Sequence, residues 1–413
     1  LRSTRELATN VFFKLLPAPF EKLSRFLVVL VAAPLLGASA FGTYQYALTA
    51  SLLAMTVFDL GLGTFTTRAL ARRDAGAPRV VAAGYRLRAW TALPYAAVVA
   101  FLALVAVPEE RVVLVVLGGA TLLGSVVDYG SAALRGLEDF RSEASVNVLR
   151  AILATAAALG ALLAFRTLPA LALGSLAGAV ASAWVSLWFV RRRVGKEADL
   201  GGAPLALQVR ELAPLGLAGL LSVLYFRCDV VLLRFLTSPT EVGYYGAAYR
   251  IFEATTVVPA ALSAVVFPRL AQRWSAGQSE REGTRIVVWT GALGVAAAAG
   301  LSVASERIVA VVFGEAFAPA AASLRVLGLA APFLFLNFGL TSILFARGGE
   351  SAYVRAVAVM LVLNVATNAL LIPRLGGVGA AWATLGTEAV LAACCAYAAR
   401  RSRSRSDGFS MRT

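Results

Sequence analysis

Twelve apolar stretches run along this chain, and arginine and lysine gather in every second connection between them. The stretches predict helices at 10–36, 43–67, 80–107, 112–134, 143–165, 168–190, 211–235, 243–268, 286–304, 318–346, 353–373 and 377–399. At about 1.5 Å of rise per residue, each is long enough to cross a hydrocarbon core about 30 Å thick. Taken with the helix ends beside them, the even-numbered connections (68–88, 135–141, 191–210, 269–285 and 347–355) and the tail at 400–412 hold 24 Lys/Arg, whereas the odd-numbered ones hold five: Arg111, Arg166, Arg234, Arg307 and Arg374. Lysine and arginine are retained on the cytoplasmic side during insertion, so both termini are expected in the cytoplasm.

The 413 residues are 59% hydrophobic, with mean hydropathy +0.77. The connections are short, and none can fold into a separate catalytic domain, so function must arise between helices. A net charge of +15 would suit nucleic acid, but 24 of the 38 basic residues lie where anionic lipid and the insertion machinery favour them. Nucleic acid is therefore not expected as a partner. Histidine is absent, and Cys228, Cys394 and Cys395 fall inside apolar segments, which leaves no expected metal site or disulfide framework. No G-x-x-x-x-G-K-[ST] motif occurs, so no cofactor or direct ATP drive is expected. The first strong apolar run, from Phe26 to Leu36, lacks an A-x-A cleavage site and should stay in the membrane.

The run Arg191-Arg192-Arg193-Val194-Gly195-Lys196, followed by Gly201, Gly202 and Pro204, divides the chain in two. The expected fold class is an all-α integral membrane protein of twelve transmembrane helices. Residues 1–192 form an N-terminal six-helix lobe, 193–208 a cytoplasmic linker, 209–399 a C-terminal six-helix lobe and 400–413 a basic cytoplasmic tail. A shift of 201 residues aligns Gly42, Tyr44, Ala47, Val57, Arg68 and Arg72 with Gly243, Tyr245, Ala248, Val258, Arg269 and Arg273. Six helices per half make the repeat parallel. The lobes are then related by a pseudo-twofold axis along the membrane normal, with a substrate site expected where they meet.

Charges within helices cost about 2.5 to 3.5 kcal/mol each on insertion scales, so they are the first places to look for function. The set comprises Lys22, Arg25, Asp59, Asp128, Arg150, Arg227, Asp229, Arg250, Glu253, Arg325 and Glu388. Helices seven and eight form a hairpin turning near Pro239, which puts Asp229 level with Arg250 and Arg227 near the depth of Glu253. Arg227 and Asp229 lie about 200° apart on their helix. Asp229 is thus expected to fix Arg250 or another neighbour, while Arg227 and Arg234 face a wet cavity; the bland reading is that the four charges only neutralise one another. Arg25 near mid-membrane calls for water, a partner or an anionic substrate. Asp59, before Leu60-Gly61-Leu62-Gly63, reads as a packing or hinge residue. Asn364 and Asn368 share a helix face and could meet sugar hydroxyls or join helices, as could Asn337. Tyr225, Tyr244, Tyr245 and Tyr249 read as interface anchors and packing. Arg150 and Arg325 read as snorkelling.

The run Phe58-Asp59-Leu60-Gly61-Leu62-Gly63-Thr64, followed by Arg68-Ala69-Leu70-Ala71-Arg72, resembles the second helix of bacterial polysaccharide (O-antigen type) flippases. Tyr225-Phe226-Arg227-Cys228-Asp229, then Val242-Gly243-Tyr244-Tyr245-Gly246-Ala247-Ala248-Tyr249-Arg250, ending at Phe267-Pro268-Arg269-Leu270-Ala271, is similar to their seventh and eighth helices. Phe313-Gly314-Glu315, Asn364 to Pro373 and Gly376-Gly377-Val378-Gly379-Ala380-Ala381 continue the pattern. The resemblance implies a member of the multidrug/oligosaccharidyl-lipid/polysaccharide exporter superfamily in a bacterial plasma (inner) membrane. Such a protein moves a polyprenyl-diphosphate-linked oligosaccharide from the cytoplasmic to the periplasmic leaflet by alternating access. Membrane lipids, a polysaccharide polymerase and assembly proteins are the other partners it implies. Ser24-Arg25 and Tyr249-Arg250 resemble positions at which basic residues of the related lipid II flippases meet the diphosphate. Twelve apolar segments instead of fourteen argue against lipid II as cargo.

On this reading Arg25, Arg227, Arg250, Arg234, Asn364 and Asn368 bind substrate, and Asp59, Asp229 and Glu253 serve structure or coupling, with protons or sodium as the coupling ion. Bidentate arginine suits a diphosphate crossing a low-dielectric core. The alternative is a cation-coupled exporter of drugs or small metabolites, with Asp229 as its carboxylate. A membrane glycosyltransferase would need catalytic carboxylates and a large aqueous loop, and the connections are too short for one.

Overall fold

The computed structural model describes residues 13, 17–59, 61–72, 76–194, 205–274 and 280–410. Most of the expected 193–208 linker lies outside them. The described chain is all-helical, and nine of its helices are long and apolar enough to cross a membrane. It divides into two compact units, Leu1–Val223 and Leu224–Thr413.

Unit 1 contains α1 (Pro17–Asp59), α2 (Leu62–Arg72), α3 (Ala77–Val105), α4 (Pro108–Gly136), α5 (Phe140–Phe165) and α6 (Leu168–Val194). Its centre is α4, which packs against α1, α2, α3, α5 and α6. Tyr129, Val127 and Leu134 of α4 are buried with Leu62 and Leu70 of α2, Val81 and Leu87 of α3 and Val190 of α6. The Tyr129 hydroxyl meets the Val81 carbonyl at 3.1 Å, so this fully buried ring also satisfies its polar end. Asp139 caps α5, its carboxylate accepting from the Ser142 amide at 3.1 Å.

Unit 2 begins within α7 (Leu205–Leu236) and continues through α8 (Pro239–Thr255), α9 (Val257–Trp274), α10 (Glu280–Val303), α11 (Ser305–Phe313), α12 (Ala320–Ala346) and α13 (Glu350–Ser410). Here α12 is central and packs against α8, α9, α10, α11 and α13. Ser238 caps α8 by accepting from the Glu241 amide at 3.3 Å. The Glu241 carboxylate then accepts from the Gly377 amide of α13 at 3.0 Å. That contact ties the start of α8 to the point where α13 bends.

Several boundaries differ from those expected. The 37–42 connection is no loop: α1 passes through it and breaks at Gly37 alone, where φ is 76° and ψ 167°. The flanking Leu-Leu and Ala-Ser-Ala residues carry no helix breaker, so one glycine turns the chain. Likewise α13 joins the two expected C-terminal helices through Gly376, at φ 55°. The eighth expected helix is divided into α8 and α9, and the second ends at Asp59, with Gly61 at φ 71° before α2. Two of the pairs matched by the 201-residue shift behave alike: Tyr44 and Tyr245 are both buried, as are Ala47 and Ala248.

Gly37→Ala should destabilise the protein by about 1 to 3 kcal/mol, because its backbone region is reserved for glycine. Space is not the issue, since a Cβ at Gly37 or at helical Gly160 would meet nothing within 4 Å. Gly160→Ala should accordingly be neutral or stabilising by up to about 1 kcal/mol. Thermal unfolding of the two variants in detergent checks the contrast.

Candidate functional site

On α7, Tyr225, Cys228, Asp229 and Val230 are buried, whereas Arg227 is half-buried on another side of the helix. The helical period separates them as the sequence requires. Arg227 donates to Glu253 Oε1 at 3.1 Å, and Arg250 donates to Glu253 Oε2 at 2.7 Å. One carboxylate therefore bridges two guanidiniums, and the three side chains carry one net positive charge. Arg250 and Glu253 are three apart on α8, which makes their pairing local.

Of the two partners expected for Asp229, Arg250 or another neighbour, the second is found. Asp229 accepts from the Tyr245 hydroxyl through Oδ2 and from the Val230 amide through Oδ1 at 2.8 Å. Depth matched the two charges, but Arg250 lies one turn before Glu253 and Tyr245 takes the inward position. Tyr245 and Tyr225 are thus hydrogen-bond donors at depth rather than interface anchors. Tyr225 donates to Glu388 Oε1 at 2.9 Å, and Asn337 Nδ2 donates to Glu388 Oε2 at 2.7 Å. Helices α7, α12 and α13 consequently meet at one buried carboxylate.

The amides form a third layer. Cys228 Sγ lies 3.1 Å from Asn364 Oδ1, and Asn364 Nδ2 is 3.3 Å from Thr387 Oγ1. Asn368 Nδ2 donates to Asn364 O and Oδ1, both at 2.9 Å. Both amides are buried; Asn364 joins α13 to α7 through Cys228, whereas Asn368 bonds back to Asn364 one turn earlier on its own helix. Asn368 Oδ1 and Asn337 Oδ1 are buried without a hydrogen-bond partner. Arg234 lies nearer the end of α7 and is half-buried. Among the described residues, no three His, Cys, Asp or Glu side chains gather as a metal site.

Among the described residues of unit 1, several charges within helices are held in single acid–base pairs. Arg25 is 62% exposed and meets Glu21, one turn earlier, at 3.4 Å. An acid close in sequence therefore supplies the partner that Arg25 was expected to find elsewhere. Neighbouring Ser24 donates to the Ala151 carbonyl at 2.9 Å, which pins α1 to α5 and turns Arg25 outward. Arg150 donates to Asp128 rather than snorkelling alone, and Arg325 of unit 2 is similarly held by Glu306 at 2.7 Å. Asp59, at the end of α1, accepts from Arg88 at 2.5 Å. Arg88 was counted with the basic connection, yet it sits eleven residues beyond the α3 start at Ala77 and is only 3% exposed. Its position inside an apolar run, ahead of Trp90, was the available signal. In this pair Asp59 lies two residues before Gly61, where φ is 71°.

Asp59→Asn should cost on the order of 3 kcal/mol, the low end for a buried pair, because Asp59 itself is 40% exposed. The double variant Asp59→Asn/Arg88→Met should recover most of that loss. Denaturant unfolding of the three proteins tests the coupling.

A family model described as polysaccharide biosynthesis protein matches residues 7–274. A curated relative, the probable low-salt glycan biosynthesis flippase Agl15 of Haloferax volcanii, is 28% identical over 170 residues. That match covers 40% of this chain and 36% of the relative, so little more than a third of the curated protein is spanned. An inward-facing multidrug resistance MATE family transporter of the MOP superfamily superposes with TM-score 0.76 at 15% identity, covering 96% of this chain and 98% of that one. The lipid II flippase MurJ, in its inward closed conformation, gives 0.74 at 12% identity over 94% of this chain and 87% of its own. A MOP superfamily transporter from Pyrococcus furiosus, described as having a binding pocket of reverse polarity, gives 0.66 at 14% identity, covering 96% and 95%. At such identities the structures establish the fold, which is that of MOP superfamily transporters.

Proposed function

Because this chain belongs to the polysaccharide biosynthesis protein family, we propose that it is a flippase for a polyprenyl-diphosphate-linked oligosaccharide. It carries the glycan from the cytoplasmic to the periplasmic leaflet of a bacterial plasma (inner) membrane, for surface polysaccharide assembly. The observation that carries this reading is the Arg227–Glu253–Arg250 cluster. Its two guanidiniums share one carboxylate within apolar spans. A diphosphate can displace part of that shared carboxylate contact and accept the same N–H edges. No covalent step is required, and the polyprenyl tail can stay in lipid while the sugars cross through water.

Two further features complete the proposal. The spans Pro19–Asp59 and Glu350–Arg400 are each long enough for two crossings and break at Gly37 and Gly376. Counting each as two and adding α7 brings the nine candidate spans to twelve, read as two six-helix lobes with pseudo-twofold symmetry and cytoplasmic termini. Alternating access would expose the arginines to each side of the membrane in turn. Proton or sodium coupling is assigned to Asp229, a buried carboxylate whose hydrogen-bonded partners, Tyr245 and the Val230 amide, are uncharged. A cation-coupled exporter of small molecules would use the same carboxylate, but the family and the arginine pair favour the glycolipid.

In proteoliposomes, translocation is read as the fraction of lipid-linked glycan exposed to an impermeant lectin. Arg227→Ala and Arg250→Ala should each lower the rate by roughly tenfold or more, consistent with loss of a charge-assisted contact. Arg250→Lys should recover only part, since lysine cannot bind phosphate edge-on. Arg25→Ala should also impair transport while the protein remains inserted. Normal rates in all three alanine variants would defeat the cationic pathway. Asp229→Asn should remove any dependence of the rate on an imposed proton or sodium gradient.

A further inference from the structure

Along α6, Leu173, Val180, Trp184 and Trp188 are exposed. Their spacings of seven, four and four residues keep them within one narrow stripe. Away from the stripe, Gly174, Gly178, Ser182, Ser186 and Val190 are buried within unit 1. Trp184 is 69% exposed and Trp188 39% exposed, too much indole surface for a face meant for water. In a multi-pass membrane protein such a stripe lies against acyl chains.

At its end the stripe changes character, because Arg191, Arg192 and Arg193 follow in sequence and all are exposed. Arg192 falls one turn beyond Trp188, and its guanidinium carbon lies 3.7 Å from the centre of that ring. Phe189 meets Trp188 edge-on, with centroids 4.9 Å apart at 81°. That contact fixes the indole against which the guanidinium stacks. Arg193 is held differently, by Asp139 at 3.3 Å. A guanidinium lying flat on an aromatic face keeps its N–H edge directed outward and loses little further freedom on binding an anion. Trp184 to Arg192 covers about 12 Å along the axis, the distance from upper acyl chain to headgroup. Three consecutive cations against the one carboxylate of Asp139 also disfavour a headgroup that carries its own ammonium.

We propose that the Trp184–Trp188–Arg192 face of α6 is a binding site for an anionic phospholipid. The acyl chain lies along Val180 and Trp184, and the headgroup phosphate takes the edge of the Arg192 guanidinium. The site uses none of the residues assigned to transport, so it stands or falls separately from that reading.

The full chain in vesicles, titrated with brominated lipids, tests this directly. The Trp188 signal is isolated as the difference between the chain and its Trp188→Phe variant. Brominated phosphatidylglycerol should quench that signal at roughly fivefold lower mole fraction than brominated phosphatidylcholine, with the preference weakening as salt is added. Arg192→Gln should bring the two lipids level, and Arg192→Lys should keep part of the preference. Circular dichroism of each variant confirms that the helices persist. Equal quenching by both lipids in the unaltered chain would overturn the proposal, as would a preference that survives Arg192→Gln. Absence of quenching by either lipid would mean that something other than lipid covers the face, and would overturn it too.

Discussion

Glu253 places one carboxylate between two guanidiniums, and much of unit 2 is arranged around that contact. Arginine is among the costliest residues to bury at membrane depth, so both guanidiniums need a partner from a neighbouring turn or helix. Glu253 serves Arg250 from one turn along α8 and reaches Arg227 on α7. With Arg250 and Glu253 directed to one side of α8, Tyr245, Ala248 and Phe252 turn inward and are buried. Tyr245 then delivers its hydroxyl to Asp229. The opposite side of α7 from Arg227 is thereby committed to neutral donors, and Tyr225 extends the same logic to Glu388.

Unit 1 resolves the same difficulty with other means. Asp59 with Arg88, Asp128 with Arg150 and Glu21 with Arg25 are pairs of one acid and one base. Such pairs hold helices in register without leaving surplus charge. In unit 2, by contrast, two guanidiniums share the one carboxylate of Glu253. Asp229 and Glu388 stand apart again, as buried acids hydrogen-bonded to tyrosine and asparagine rather than to arginine. Arg227, paired with Glu253, and Asp229, hydrogen-bonded to Tyr245, thus occupy opposite sides of α7.

The helices and the charges at depth were legible because apolar runs and ionisable residues are local facts of sequence. The family was legible from the motifs around Asp59, Arg227 and Arg250. Which acid meets which base was not, because depth along a hairpin says nothing about azimuth around each helix. Asp229 and Arg250 matched in depth, yet an i,i+3 neighbour claimed Arg250. Arg88 was lost for another reason: a count of basic residues by connection absorbs an arginine that lies within the helix that follows. The single-glycine breaks at Gly37 and Gly376 were read as connections because hydropathy registers the interruption but not its backbone geometry. The short helix Ser305–Phe313 was folded into a connection, being too brief for a span and too apolar for an ordinary loop.

The central claim is that lipid-linked glycan crosses the bilayer through this protein. Leaflet-resolved detection of the carrier-linked glycan in the native host, with and without the gene, measures that crossing where it occurs. Accumulation of the glycan on the cytoplasmic leaflet after deletion, reversed by restoring the gene, is the predicted result. An unchanged distribution between leaflets, in a host without a second such transporter, would contradict the account and shift attention to small-molecule export through Asp229.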